Sequence, residues 1–156
     1  MYAFNYSRAE TGRKAVNLIS KNEDAKFLAG GQTLLPTMKQ RLASPGALID
    51  LSGAADLKGI EMKGRNLVIG AMTRHFDVAT SELVKEKIPA LADLAGMIGD
   101  PAVRNRGTMG GSVANNDPAA DYPSACLALN ATIITNKRKI PADEFFTGLF
   151  ETALEE

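Results

Sequence analysis

Cysteine and histidine are almost missing from this chain: Cys126 and His75 are the only ones in 156 residues. A single thiol excludes an intrachain disulfide and any zinc or iron–sulfur site built from several cysteines. Cys126 lies among apolar residues in 122–129, so a buried structural thiol is expected rather than a nucleophile. Counting does not exclude a Cys–His or Ser–His pair, but nothing in the sequence around His75 supports one. Net charge is missing too, since 18 basic residues balance 18 acidic ones. That leaves no electrostatic reason to expect a nucleic-acid partner. The one basic cluster, Lys137-Arg138-Lys139, reads as a solvated turn. Residues 1–6 lack the basic stretch and apolar core of a signal segment. No apolar run approaches the ~20 residues that span a bilayer. A soluble, cytoplasmic protein with no transmembrane segment is expected.

Apolar residues, at 45%, are plentiful enough for a real core, in one compact domain or two small packed lobes. Residues 2–6 read as a strand. Ser7, three positions before Glu10, has the capping-box spacing and predicts a helix over 8–20. Residues 25–29 read as a buried strand running into Gly30-Gly31. Thr33 is placed to cap a helix reaching about residue 41, with Pro36 tolerated in its first turn. Residues 47–51 form a third strand, which completes a β-α-β-α-β lobe over 1–53. The second lobe, 54–156, begins with a hairpin of 57–62 and 66–69 around Lys63-Gly64-Arg65. Helices over 73–81 and 89–98 follow. Between 99 and 121 four glycines precede Ser112, with Asn, Asp and Pro after it, a composition of loops and tight bends. A helix over 123–130, a strand over 131–135, a turn at 137–138 and a tail over 142–156 that must pack against something complete the reading. The class is α+β.

Two segments carry the chemistry. The first, Ala29-Gly30-Gly31-Gln32-Thr33-Leu34-Leu35-Pro36, stands between a strand and a helix. Glycines there let backbone amides approach a ligand, and the unpaired N–H groups and positive end of a helix favour an anion. Gln32 and Thr33 add side-chain donors. An anion cradle and an ordinary turn are both consistent with this octapeptide alone. It is neither a P-loop nor a Rossmann fingerprint. The second segment runs Arg104-Asn105-Arg106-Gly107-Thr108-Met109-Gly110-Gly111-Ser112 and on through Asn115-Asn116-Asp117-Pro118-Ala119-Ala120-Asp121. Its glycines and hydroxyls again describe backbone close to phosphate. The Asn and Asp residues serve either a ligand or turns. Asp121, just before a helix, is either an N-cap or an acceptor for ribityl or ribose hydroxyls. A diphosphate held from both sides needs two such segments.

Together these phrases resemble the two FAD-binding signatures of the medium, flavoprotein subunits of molybdenum hydroxylases, of the aerobic carbon monoxide dehydrogenase and xanthine dehydrogenase type. The resemblance runs through the whole chain in order and spacing. It implies a two-lobed FAD-binding domain of the vanillyl-alcohol-oxidase type. Ala29, Gly30, Gly31, Gln32, Thr33 and Leu34 would wrap the diphosphate from one lobe. Gly107, Thr108, Gly110, Gly111 and Ser112 would contact it from the other. Asp121 matches a position that binds polar groups of FAD in relatives, and Ile98 one that places an apolar residue near the flavin. No protein nucleophile is implied, because FAD carries the redox chemistry. The implied role is electron transfer from iron–sulfur clusters on a partner to an external acceptor, beside a molybdenum-cofactor large subunit and an iron–sulfur small subunit. Flavoproteins of this family continue past the position matching Glu156, so a truncated chain lacking the C-terminal domain and inactive by itself is expected. The competing expectations are a non-catalytic remnant or interaction module without flavin, and an FAD reductase akin to the cell-wall sugar-nucleotide reductases. The 115–121 stretch disfavours the reductase.

Overall fold

The computed structural model describes residues 1–155. Its first half is a parallel three-stranded sheet of β1 (Asn5–Arg8), β2 (Ala25–Leu28) and β3 (Ala47–Asp50), in the order β1-β3-β2. The central strand β3 pairs Ala47 with both Asn5 and Ala25, and Asp50 with both Arg8 and Leu28. All four of its residues are buried, as expected for a strand flanked on both edges. Helices α1 (Gly12–Ile19) and α2 (Leu34–Lys39) connect the strands, so the expected β-α-β-α-β order is present. The small core beneath α1 is mostly alanine (Ala9, Ala15, Ala25, Ala47) around Ile49.

The first helix starts later than its capping-box spacing predicts. Ser7 lies in β1 and Glu10 pairs with Lys14 at 3.3 Å. Sheet pairing keeps the chain extended, because the Ala9 N–H donates to the Asp50 carbonyl at 2.9 Å. Thr11 then caps α1 by accepting the Lys14 N–H at 3.1 Å.

The second half opens with the hairpin β4 (Ile60–Lys63) and β5 (Asn66–Ile69). Helices α3 (His75–Thr80), α4 (Glu82–Lys87) and α5 (Pro89–Met97) follow. Helix α4 is absent from the sequence reading; Ser81 caps it through the Val84 N–H. The 99–121 stretch, expected as loops and bends, is largely helical: α6 (Pro101–Arg106) and α7 (Met109–Asn115) occupy it. Asp100 caps α6 by accepting the Val103 N–H at 2.8 Å, and Pro101 sits in its first turn. Glycine composition misled there, because Gly110 and Gly111 are needed for close packing rather than for turning.

Helix α8 (Asp121–Ala128), the hairpin β6 (Thr132–Ile134) with β7 (Lys139–Pro141), α9 (Ala142–Phe145) and the hairpin β8 (Phe146–Gly148) with β9 (Glu151–Thr152) complete the half. Val78, Val84, Leu91, Val113, Tyr122, Ile140 and Phe145 build its core, each large apolar side chain contributing about 1.5–3 kcal/mol of burial. The tail packs back as expected. Asn116, left-handed at φ 44°, donates its side-chain amide to the carbonyls of Gly148 and Glu151 at 2.8 and 2.9 Å. Among the described residues no helix is long and apolar enough to cross a membrane.

Candidate functional site

The first glycine segment leaves the C-terminal edge of the parallel sheet directly after β2. Gly31 takes φ 75°, a left-handed conformation that glycine adopts without steric cost. This bend turns the chain into α2, where the Leu35 N–H returns to the Gly31 carbonyl at 3.2 Å. The N–H groups of Gly30, Gly31, Gln32, Thr33 and Leu34 donate to no protein acceptor among the described residues. Gln32 and Thr33 are exposed, and Gln32 donates to the Gly30 carbonyl at 3.1 Å. Thr33 stands at the N-cap position of α2, but its backbone is already helical and its hydroxyl makes no capping bond. The expected cap is therefore absent, which leaves the hydroxyl and the Leu34 N–H available to a ligand.

The second segment has the same composition and the opposite hydrogen-bonding. The Gly107 N–H donates to the Val103 carbonyl at 2.7 Å, Met109 to Thr73 at 2.9 Å, Gly110 to Ala71 at 2.8 Å and Ser112 to Thr108 at 3.1 Å. Thr108 caps α7, its hydroxyl accepting the Gly111 N–H at 3.2 Å. An antiparallel bridge joins Thr108 to Arg74. Gly110 is packed so closely that a Cβ there would lie 2.5 Å from the Ala71 Cβ.

The two segments touch. A Cβ on Gly30 would lie 2.3 Å from the Arg106 carbonyl oxygen and 2.7 Å from the Gly107 Cα, and one on Gly111 would lie 3.6 Å from the Ala29 Cβ. Beside this contact opens a cleft of about 630 Å³. Of the residues singled out in sequence, Ala29, Gly30 and Thr108 line it; Gly31, Gln32, Thr33, Leu34, Gly107, Gly110, Gly111, Ser112, Ile98 and Asp121 do not. Ile98 is half-buried and packed against the second core, with its carbonyl accepting from Arg104 at 3.1 Å. Asp121 is exposed in the first turn of α8, where Ala120 holds the cap position, so Asp121 is not an N-cap.

Sequence reasoning missed much of the cleft wall: Ser52, Lys58, Thr73, Arg74 and Asp77. They are scattered over 52–77, with only Thr73 and Arg74 adjacent, and carry no motif. Lys58 donates to the Ser52 carbonyl at 2.8 Å, and Arg74 forms a two-pronged pair with Asp77 at 2.8 and 2.9 Å. Arg106, also on the wall, makes no ion pair among the described residues. Ser52 is held by Asp50, which accepts its N–H at 2.8 Å and its hydroxyl at 2.7 Å, and also the Tyr6 hydroxyl at 2.5 Å. Burial pushes the Asp50 carboxyl up, but these bonds and Arg8 outweigh it and leave the group below its ordinary range.

Burial pushes the Cys126 thiol up, which fits a structural thiol rather than a nucleophile. Burial likewise holds His75 below the ordinary imidazole value. No cluster of metal-ligating side chains occurs among the described residues. The site therefore offers unpaired amides, hydroxyls and a partly cationic cleft, the equipment for holding an anionic ligand.

Residues 2–156 match the family described as FAD binding domain in molybdopterin dehydrogenase. The chain is 43% identical to the carbon monoxide dehydrogenase medium chain of Hydrogenophaga pseudoflava, covering 98% of this chain and 55% of that relative. It is 39% identical to the glyceraldehyde dehydrogenase medium chain of Sulfolobus acidocaldarius, covering 96% and 54%. The solved carbon monoxide dehydrogenase of Hydrogenophaga pseudoflava that lacks the Mo-pyranopterin moiety superposes with a TM-score of 0.95 at 43% identity, over 99% of this chain and 55% of that one. The chain thus spans about half the length of the curated relatives it matches.

Proposed function

The chain belongs to the family of FAD binding domains in molybdopterin dehydrogenases, its cofactor is FAD, and from that membership we propose that it is the electron-transferring flavin domain of a molybdenum hydroxylase. One observation supports this assignment of the cofactor: the N–H groups from Gly30 to Leu34 are grouped at a helix start and donate to no acceptor among the described residues. An FAD diphosphate needs such a row of donors, and the bare α-carbons of Gly30 and Gly31 let it come close. The residues present therefore fit the group.

The diphosphate is assigned to the amides of residues 30–34, with the Gln32 side chain and the Thr33 hydroxyl as further donors and Ala29 beside them. Thr108 and Ser112 face it from the second segment, while Gly107, Gly110 and Gly111 let that segment approach. Asp121 is assigned to hydroxyls of the cofactor and Ile98 to an apolar contact. The lobe boundary is placed at 53/54. When bound, FAD supplies a ring that takes up and releases electrons. The chain's own residues bind, orient and shield it; none is asked to act as acid, base or nucleophile. The electrons come from iron–sulfur clusters on a small subunit, beside a molybdenum-cofactor large subunit, and leave to an external acceptor. A soluble, cytoplasmic setting suits this role.

Titration of the purified chain with FAD, followed by flavin absorbance and fluorescence, tests the reading. Saturable uptake with a shifted flavin band is expected, and Gly111→Asp, which puts bulk and negative charge beside the diphosphate, abolishes it. A colourless chain with no uptake at high FAD, or undiminished affinity in Gly111→Asp, overturns it.

A further inference from the structure

We infer that His75 and Tyr122 are positioning residues for the cofactor: their stacked rings form a buried wedge that sets where segment 107–112 stands against the first glycine segment. This rests on the FAD reading above and concerns residues that it leaves without a role.

The backbone of 71–75 holds the second segment through its bonds to Gly107, Met109 and Gly110. The His75 N–H itself donates to the Gly107 carbonyl at 3.1 Å. Its ring fills the space beneath Gly107, where a Cβ would lie 2.5 Å from Nε2 and 2.8 Å from Cδ2. Tyr122 backs the imidazole, with ring centroids 5.3 Å apart and planes tilted by 44°. His75 is 5% exposed and Tyr122 not at all. Among the described residues neither His75 Nδ1 nor the Tyr122 hydroxyl has a hydrogen-bond partner, so shape rather than polarity fixes the pair. Gly107 also meets Gly30, on which a Cβ would lie 2.7 Å from the Gly107 Cα. Tyr122, His75, Gly107 and Gly30 therefore form one continuous stack that ends at an unpaired amide of the first segment. At its other end Tyr122 directly follows Asp121. A change in the volume of either ring moves the second segment relative to the amides that hold the cofactor.

The test is a suppression experiment on the full chain, with Gly107→Ala, His75→Ala and the double variant. Two readouts are taken: hydrogen exchange at the Met109 and Gly110 amides, and FAD affinity. Each single change accelerates exchange and weakens FAD by about tenfold, and the double variant recovers most of both losses, because the added methyl occupies space the ring has left. Additive or worse losses in the double overturn the proposal. Should Gly107→Ala alone fail to fold, folding of the double is the recovery, and failure of both is the refutation. Tyr122→Phe keeps the ring and leaves both readouts at wild-type values. If it loses as much as Tyr122→Ala, the hydroxyl and not the wedge is responsible, and the proposal falls. A wild-type chain that takes up no FAD sinks the functional reading alone, and the exchange arm still decides the wedge.

Discussion

In residues 30–34 the backbone N–H groups face no acceptor among the described residues, whereas in 107–112 those of Gly107, Met109, Gly110, Gly111 and Ser112 are all bonded within the fold. Both segments are rich in glycine and hydroxyl side chains, and both stand at the start of a short helix. One presents its amides; the other spends its amides within 103–112 and, through Met109 and Gly110, on 71–73, and so braces the first. The cause is local. Segment 30–34 leaves the open edge of a parallel sheet, where no strand follows to take up its donors. Segment 107–112 is threaded beside the chain that enters α3, whose carbonyls lie within reach. Similar composition therefore does not mean similar work.

Substitutions that leave each segment only one way to fail sharpen the difference. Gly30→Ala has the largest effect, because its methyl strikes the Arg106 carbonyl, which is backbone and has little freedom to retreat. It costs about 3 kcal/mol of stability and removes FAD uptake, measured by thermal unfolding and by flavin titration. Wild-type uptake in this variant would show that contact between the segments is dispensable. Gly110→Ala drives a methyl into Ala71 and costs about 2 kcal/mol. As a bracing position it loses stability first, and FAD affinity only as far as the segment shifts. Gly31→Ala reverses that order, since its left-handed φ costs an L-residue about 1–2 kcal/mol and the strain falls on the bend that orients the free amides.

A smaller effect belongs to the cap. Thr108→Ala loses the bond to the Gly111 N–H and about 1 kcal/mol, and Thr108→Ser restores it; equal melting temperatures for the two variants would refute the cap.

The smallest effect separates the segments by pH. The second segment is held by amide–carbonyl bonds that do not titrate. The wall beside the first depends on Asp50, whose folded carboxyl lies below its ordinary value. Its contribution is complete above the unfolded carboxylate pKa of about 4 and is lost as pH falls through the folded value. Tyr6→Phe removes one bond to that carboxylate and lowers the melting temperature slightly near pH 7, with wild type and variant converging in acid. A cost that stays constant down to pH 2 would assign the loss to packing instead.

Much of the first half is legible because its signals are local and agree with one another: strands over 25–29 and 47–51, and glycines just beyond the sheet edge. Only β3 is buried throughout, because β2, expected as a buried strand, lies at the sheet edge and leaves Lys26 and Phe27 exposed. The first helix starts later than the Ser7 spacing implies because that spacing competes with a strand pairing 42 residues away in sequence, Arg8 to Asp50, that local signals do not contain. Helices α6 and α7 were read as loops because glycine signals a turn on its own and close approach only in company. Ala71, which makes Gly110 necessary, lies 39 residues earlier.

Residue order alone carries the family resemblance, the α+β class and the first segment as an anion cradle or turn. Those follow from residue types and short spacings. Only the tertiary structure decided which glycine segment keeps its amides free, that Ser52, Lys58, Thr73 and Arg74 share a wall with Gly30, and that His75 and Tyr122 stack beneath Gly107. Each of these depends on where carbonyls and rings from distant parts of the chain come to rest. A hydrogen-bond donor is available or spent according to what packing places within 3 Å of it.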